Sequence, residues 1–260
     1  MAENMNDKNS KSPLGDLGVK TIGIIPARYA STRFPAKPLV DIAGKTMIQR
    51  VYEQAKKCDL DEVVIATDDE RISSVIEAFG GKVIMTSTEH QSGTDRCAEV
   101  AKKLPGYDVV INIQGDEPFI DPTQIALVRS CFIDKNIQLA TLIKEIHTDE
   151  ELFNPNIPKV VINSKKQAIY FSRQPIPYIR NAKQQEDWVT THQFYKHIGI
   201  YGYTTQTLLE ITQLKPSSLE LAESLEQLRW LENGYQIATK VTGLETIAID
   251  TPEDLQKIIF

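Results

Sequence analysis

Residues 21–38 read TIGIIPARYASTRFPAKP. The first part is apolar at Ile22, Ile24 and Ile25 without polar alternation, which predicts a strand buried on both faces and ending at Pro26. The second part carries Arg28, Arg33 and Lys37, and no Asp or Glu occurs anywhere in 21–40. A basic loop thus follows directly on the first strand. Ligands of open α/β folds bind beyond the carboxyl ends of strands. Arginine offers a planar fork to phosphate oxygens and lysine a compact point charge. Pro35 and Pro38 stiffen the loop and lower the entropy cost of ordering it on a ligand. The alternative is a solvated loop whose arginines pair with distant acids, the usual fate of a charge run. Position after strand one and the missing acids favour the anion-binding reading.

Working outward, strands and amphipathic helices alternate. Met47, Ile48, Val51, Tyr52 and Ala55 lie on one face of a helix beginning near Thr46. Strands are predicted at 63–66, 83–85 and 109–113, with helices over about 70–79 and 94–103 between them. This alternation argues for βαβ units, right-handed crossovers and a mainly parallel sheet. Further strands are expected at 139–146, 159–162, 168–171, 198–203 and 246–249. One helix is expected over about 219–233, capped by Gly234, and another starting at Pro252. The fold class is α/β: a single open, mainly parallel, Rossmann-like sheet with flanking helices. A disordered leader is expected at 1–19, and one domain over 20–260 with a β-rich insertion at about 165–200.

The chain has 260 residues, 29 basic and 35 acidic, for a net charge of −6, with 41% hydrophobic residues. That suffices for a sizeable core. Apolar runs such as VVIA at 63–66 fall far short of the ~18 residues of a membrane span. No secretory leader is legible, and no Lys/Arg-rich block suggests a nucleic-acid partner. Cys58, Cys97 and Cys131 are too widely spaced for a zinc knuckle or a disulfide framework and suit a reduced cytoplasm. Gly44-Lys45-Thr46 resembles the end of a P-loop, but Leu39 stands where its first glycine is needed. No two glycines are separated by one residue, so a dinucleotide fingerprint is missing too.

Asp116 follows the strand VVINIQG and Asp250 ends TIAID, so both are predicted to reach the sheet edge that carries the basic loop. Mg²⁺ takes oxygen ligands, typically one or two carboxylates completed by substrate phosphates and water. Each residue also has a structural reading: Asp116 as a turn residue before Pro118, and Asp250 as the N-cap of the Pro252 helix.

Seven motifs occur in order: IIPARYASTRFPAKPL (24–39), HQSGTDR (90–96), NIQGDEP (112–118), YFSRQPIP (170–177), YKHIGIYGY (195–203), LAESLEQLRWLENG (221–234) and IDTPEDL (249–255). Together they closely resemble the 3-deoxy-manno-octulosonate (Kdo) cytidylyltransferases, or CMP-Kdo synthetases, from Thr21 to the C-terminus. The resemblance implies an Mg²⁺-dependent enzyme that converts CTP and Kdo into CMP-Kdo and diphosphate for lipopolysaccharide, cytoplasmic and homodimeric, with no nucleic-acid or membrane partner. It puts Arg28, Ser31 and Lys37 on the CTP phosphates and Asp116 and Asp250 on the metal, with Arg28, Lys37 and the two aspartates as the catalytic set. It assigns Ser92, Gly93, Thr94 and Arg96 to the nucleotide. Ser92 or Thr94 can equally be a helix N-cap, and Arg96 a surface ion pair.

For Kdo the resemblance implies Arg173 as carboxylate anchor, with Gln114, His197, Tyr201, Glu226 and Gln227 around the sugar. Arg173 can alternatively pair structurally at a strand end, and Glu226 and Gln227 can be solvated helix residues. His197 and Tyr201 are four apart, which places both on one face of a strand. Two other readings stay open: a cytidylyltransferase for a related 2-keto sugar acid (8-amino-Kdo or a sialic acid), and a non-catalytic sugar-nucleotide-binding protein.

Overall fold

A computed structural model of the chain describes residues 18–30, 34–182 and 184–256. Most of the expected leader lies outside the described residues, as do Ser31 and Arg33. In chain order the strands are β1 (Thr21–Ala27), the short pair β2 (Asp41–Ile42) and β3 (Lys45–Thr46), β4 (Glu62–Thr67), β5 (Val83–Met85) and β6 (Val109–Asn112). They continue as β7 (Leu139–Glu145), β8 (Lys159–Ile162), β9 (Ala168–Ser172), β10 (Tyr195–Thr204) and β11 (Ala238–Val241). The helices are α1 (Met47–Ala55), α2 (Glu70–Ala78), α3 (Gly93–Lys103), α4 (Pro122–Arg129) and α5 (Asp149–Phe153). After them come α6 (Trp188–Thr191), α7 (Thr205–Ile211), α8 (Ser218–Glu223), α9 (Gln227–Glu232) and α10 (Pro252–Gln256).

The main sheet has the order β11-β7-β10-β6-β1-β4-β5. It is parallel from β6 to β5 and again where β11 joins β7, and antiparallel where β10 is inserted between β6 and β7. β1 sits centrally because both its faces are apolar. Ile22 and Ile24 pack with Cys97 and Val100 of α3 and with Leu208 of α7. Ile25 and Ala27 face the opposite layer, formed by Ile48 and Val51 of α1, Ile72 and Ile76 of α2, and Ile125 of α4. Full burial of each isoleucine contributes about 1.5–3 kcal/mol. The crossovers carry the polar loops to the carboxyl ends of β1, β4 and β6.

Three expectations are corrected. The helix expected over 219–233 is two helices, α8 and α9, because Ser224 adopts a left-handed conformation (φ 52°) and turns Leu225 into the core. Segment 246–249 is not a strand; the place beside β7 belongs to β11. The β-rich extension starts at Lys159, not 165, as the hairpin β8–β9, which β10 joins through Tyr195 and Lys196. Beside it Ile146, Leu152, Trp188 and Phe194 form a small core of their own. The three cysteines are free. Among the described residues no helix is long and apolar enough to cross a membrane.

Candidate active site

A cleft of about 290 Å³ opens at the carboxyl ends of β1 and β6, lined by Arg28, Lys37, His90, Gln91, Ser92, Gly93, Arg96, Gln114, Asp116 and Asp250, among others. Arg28 leaves β1 exposed. The loop that follows is closed at its base by the Ala36 N–H, which donates to the Tyr29 carbonyl at 3.1 Å. The Arg71 guanidinium covers the Tyr29 ring at 3.3 Å from its centroid and is itself held by Asp69 at the head of α2. Lys37 opens a short 3₁₀ turn, Lys37–Leu39, after Ala36 at φ 58°.

Lys37 Nζ lies 2.8 Å from Asp116 Oδ2 and 3.1 Å from Asp250 Oδ1. Three segments distant in sequence therefore meet at one ammonium group. Asp116 is delivered by Gly115, where a Cβ would stand 2.7 Å from the Pro26 carbonyl oxygen; only glycine allows β6 and β1 to run out this close together. Asp250 is delivered without a strand, since the Ile249 N–H donates to the Asp116 carbonyl at 2.9 Å. Asp254 reaches back to the N–H groups of Asp250 (3.1 Å) and Thr251 (2.9 Å), fixing the turn from the other side. Underneath, buried Ile42, Met47 and Ile249 pack with Phe34, Phe119 and Leu255, a satellite core built from the same three segments. Sequence reading missed that core and Asp254.

Among the described residues no group of three or more His, Cys, Asp or Glu is arranged to hold a metal. Two convergent hard-oxygen carboxylates beside a basic loop still suit Mg²⁺, which usually takes one or two protein carboxylates and leaves its other positions to phosphates and water. Next to them, burial and the Asp116 charge push the Glu117 carboxyl up to about 7.

On the opposite wall Ser92 caps α3 in a reciprocal box with Asp95, worth about 1 kcal/mol. Gly93 lies against the Pro26 ring, where a Cβ would approach to 3.1 Å. Thr94 Oγ1 donates to Glu226 Oε2 at 2.8 Å, tying α3 to the start of α9. Burial pushes the Glu226 carboxyl upward, against the hydrogen bond from Thr94. Arg96 makes an ion pair, but a buried one: Nη2 lies 2.7 Å from Asp68 Oδ2, and Nη1 contacts Thr86.

β10 contains an irregularity that sequence periodicity conceals. His197 pairs with Ile143 and Ile198 with Leu142, yet Tyr201 pairs with Thr141, so two residues are extra. An even insertion preserves the face and halves the separation along the partner strand. The His197 and Tyr201 rings consequently stand 5.2 Å apart, where four regular residues would span about 13 Å. The Thr141 hydroxyl lies 2.8 Å from the Ile200 carbonyl and 3.2 Å from that of Ile198, while the Gln114 amide donates to Gly199 O at 2.8 Å. His197 Nε2 lies 3.2 Å from Thr141 Oγ1, and burial holds the imidazole down at about 4. The Tyr201 hydroxyl and Gln227 Nε2 are buried without a hydrogen-bond partner among the described residues.

Arg173 is not among the residues that line the cleft. Its guanidinium donates to the carbonyls of Glu223 (2.7 Å), Pro155 (3.0 Å) and Ser224 (3.3 Å), so it braces the break that presents Glu226 and Gln227. Ser31 lies outside the described residues. The structure thus brings together Arg28, Lys37, Asp116, Asp250, Ser92, Gly93, Arg96 and Gln114, and joins Thr94 to Glu226 beside them.

A sequence model of the cytidylyltransferase family matches residues 22–241. The chain is 61% identical over 246 residues to the 3-deoxy-manno-octulosonate cytidylyltransferase of Parabacteroides distasonis, covering 93% of this chain and 97% of that protein. It is 60% identical over 242 residues to the enzyme of the same name from Bacteroides thetaiotaomicron, covering 92% and 96%. The solved structure of CMP:2-keto-3-deoxy-manno-octonic acid synthetase complexed with CTP is 44% identical, with a TM-score of 0.85 over 92% of this chain and 96% of that one. A 4-diphosphocytidyl-2C-methyl-D-erythritol synthase from Anaerococcus prevotii, 13% identical with a TM-score of 0.60 over 95% and 97%, shares the fold alone. With identity this high across nearly the whole chain, the protein belongs to the 3-deoxy-manno-octulosonate cytidylyltransferase family.

Proposed function

We propose that the protein transfers the cytidylyl group of CTP to Kdo. The anomeric hydroxyl oxygen forms a bond to the α-phosphorus, the bond from that phosphorus to the bridging oxygen of the β-phosphate breaks, and the hydroxyl proton passes to solvent. The products are CMP-Kdo and diphosphate. The observation that carries this reading is the convergence of Lys37, Asp116 and Asp250 beside Arg28 at the sheet edge.

Arg28, Ser31 and Lys37 are the proposed phosphate contacts, with Ser92, Gly93, Thr94 and Arg96 along the nucleotide. Such transfers depend on positioning and charge neutralisation more than on covalent catalysis. Asp116 and Asp250 are the proposed ligands of Mg²⁺, which when bound would neutralise charge on the phosphates. Gln114, His197, Tyr201, Glu226 and Gln227 are proposed for the sugar; the Tyr201 hydroxyl and Gln227 nitrogen, buried without a hydrogen-bond partner among the described residues, suit a polyhydroxylated ligand. A neutral His197 would meet it through hydrogen bonds alone. Arg173 is proposed to act on the sugar site through the bracing of Ser224. A cytoplasmic role in lipopolysaccharide synthesis follows from this activity. The exposed Ile169 (56%) on edge strand β9 and Tyr178 (75%) support a homodimer through this arm, which sedimentation would test.

The deciding experiment is diphosphate release with CTP against the other nucleoside triphosphates, with and without Kdo, at saturating Mg²⁺. Release that needs both CTP and Kdo is expected. Nucleotide binding without release would favour a binding protein, and release only with another 2-keto sugar acid would change the acceptor.

A further inference from the structure

Lys37 is the only cation among the described residues paired with both Asp116 and Asp250, and its side chain is only 15% exposed where theirs are 27% and 42%. The ammonium touches one oxygen of each carboxylate. Mg²⁺ holds its oxygen ligands at about 2.0–2.1 Å, and an ammonium on the same carboxylate oxygens opposes a divalent ion by charge and by occupancy. The two carboxylates, held together by the Ile249–Asp116 hydrogen bond and the satellite core, need a cation between them to offset their repulsion. Lys37 can release them only by finding another anion within reach, and Arg28 and Arg96 line the same cleft, which on the proposed function takes the phosphates of CTP.

We propose that Lys37 competes with the metal for Asp116 and Asp250, so that the carboxylates become available to a divalent ion when a polyphosphate draws the ammonium away. Metal and nucleotide acquisition are thereby coupled, and by linkage the coupling is reciprocal. The proposal rests on the reading of Asp116 and Asp250 as metal ligands.

The test is Mn²⁺ titration of the full chain without nucleotide, read by the loss of the free-ion electron paramagnetic resonance signal. Wild type is compared with Lys37→Met, with Lys37→Gln in case the first does not fold, and with Arg28→Gln. Removing the ammonium should tighten Mn²⁺ binding about tenfold, within the ordinary 5–150-fold range of site coupling. Adding Asp116→Asn or Asp250→Asn to the lysine variant should abolish that gain. Unchanged or weaker binding in both lysine variants overturns the competition, and so does an equal gain in Arg28→Gln, which would mark a general field effect. If the tightened binding survives both asparagine substitutions, the carboxylates are not the ligands, and the reading of the metal site falls with the proposal.

Discussion

The Ile249 N–H donates to the Asp116 carbonyl at 2.9 Å, so the backbone that carries one acid of the site is pinned directly to the backbone that carries the other. Asp250 thereby gains the precision of a sheet-borne residue although its own segment joins no sheet. Asp116→Asn and Asp250→Asn should each lower kcat for CMP-Kdo formation about 100-fold or more, the scale of losing a transition-state electrostatic contact. Diphosphate release at saturating Mg²⁺ measures this, and near-wild-type turnover in either variant would remove that residue from the metal site.

Lys37→Ala should lower kcat about 100-fold while the KM for CTP changes only a few-fold, because charge on the leaving diphosphate grows in the transition state. Steady-state kinetics with varied CTP separates the two parameters. A pure rise in KM would reduce Lys37 to a ground-state binding contact.

Gly115→Ala places a methyl group 2.7 Å from the Pro26 carbonyl oxygen, and the obstacle is backbone that cannot rotate aside. The clash should cost about 1–3 kcal/mol of stability. It should also displace Gln114 and Asp116 together and lower activity by about 10²-fold, the effect of a 1 Å misplacement. Urea midpoints and turnover should fall together. Full activity at reduced stability would show that the close approach serves packing alone.

What could be read from residues alone, and what could not, divides along one physical line. Ile22, Ile24 and Ile25 announced a doubly buried strand, and Thr46 with its apolar stripe announced α1, because burial and capping are local patterns. Lys37 and Asp116 were legible because both follow strands that the same patterns locate. The break at Ser224 was hidden, since Ala222, Leu225 and Leu228 keep helical spacing across it; tertiary bonds from Arg173 to the Glu223 and Ser224 carbonyls hold the chain open there. TIAID alternates like a strand, yet the chain there docks on the loop after β6, where the Ile249 N–H donates to the Asp116 carbonyl, instead of pairing along a sheet edge. Asp254, Thr141 and the satellite core beneath Lys37 act through contacts between distant segments, which periodicity cannot display.

The two extra residues in β10 set the half-buried His197 ring between Phe171, at 5.4 Å, and Tyr201, at 5.2 Å. Burial disfavours the imidazolium and holds the folded-state pKa at about 4, below the ordinary value near 6.5. Between those values the unfolded chain binds the proton and the folded chain does not. His197 therefore adds a stability that is complete above pH 6.5 and is lost as the pH falls towards 4, on the order of 3 kcal/mol at most. Urea midpoints between pH 7 and 4 should fall more steeply for wild type than for His197→Gln, which keeps a hydrogen-bonding group near Thr141 but takes up no proton. The excess slope should approach one proton. Parallel curves would mean that the folded protein accommodates the imidazolium beside Phe171 and Tyr201.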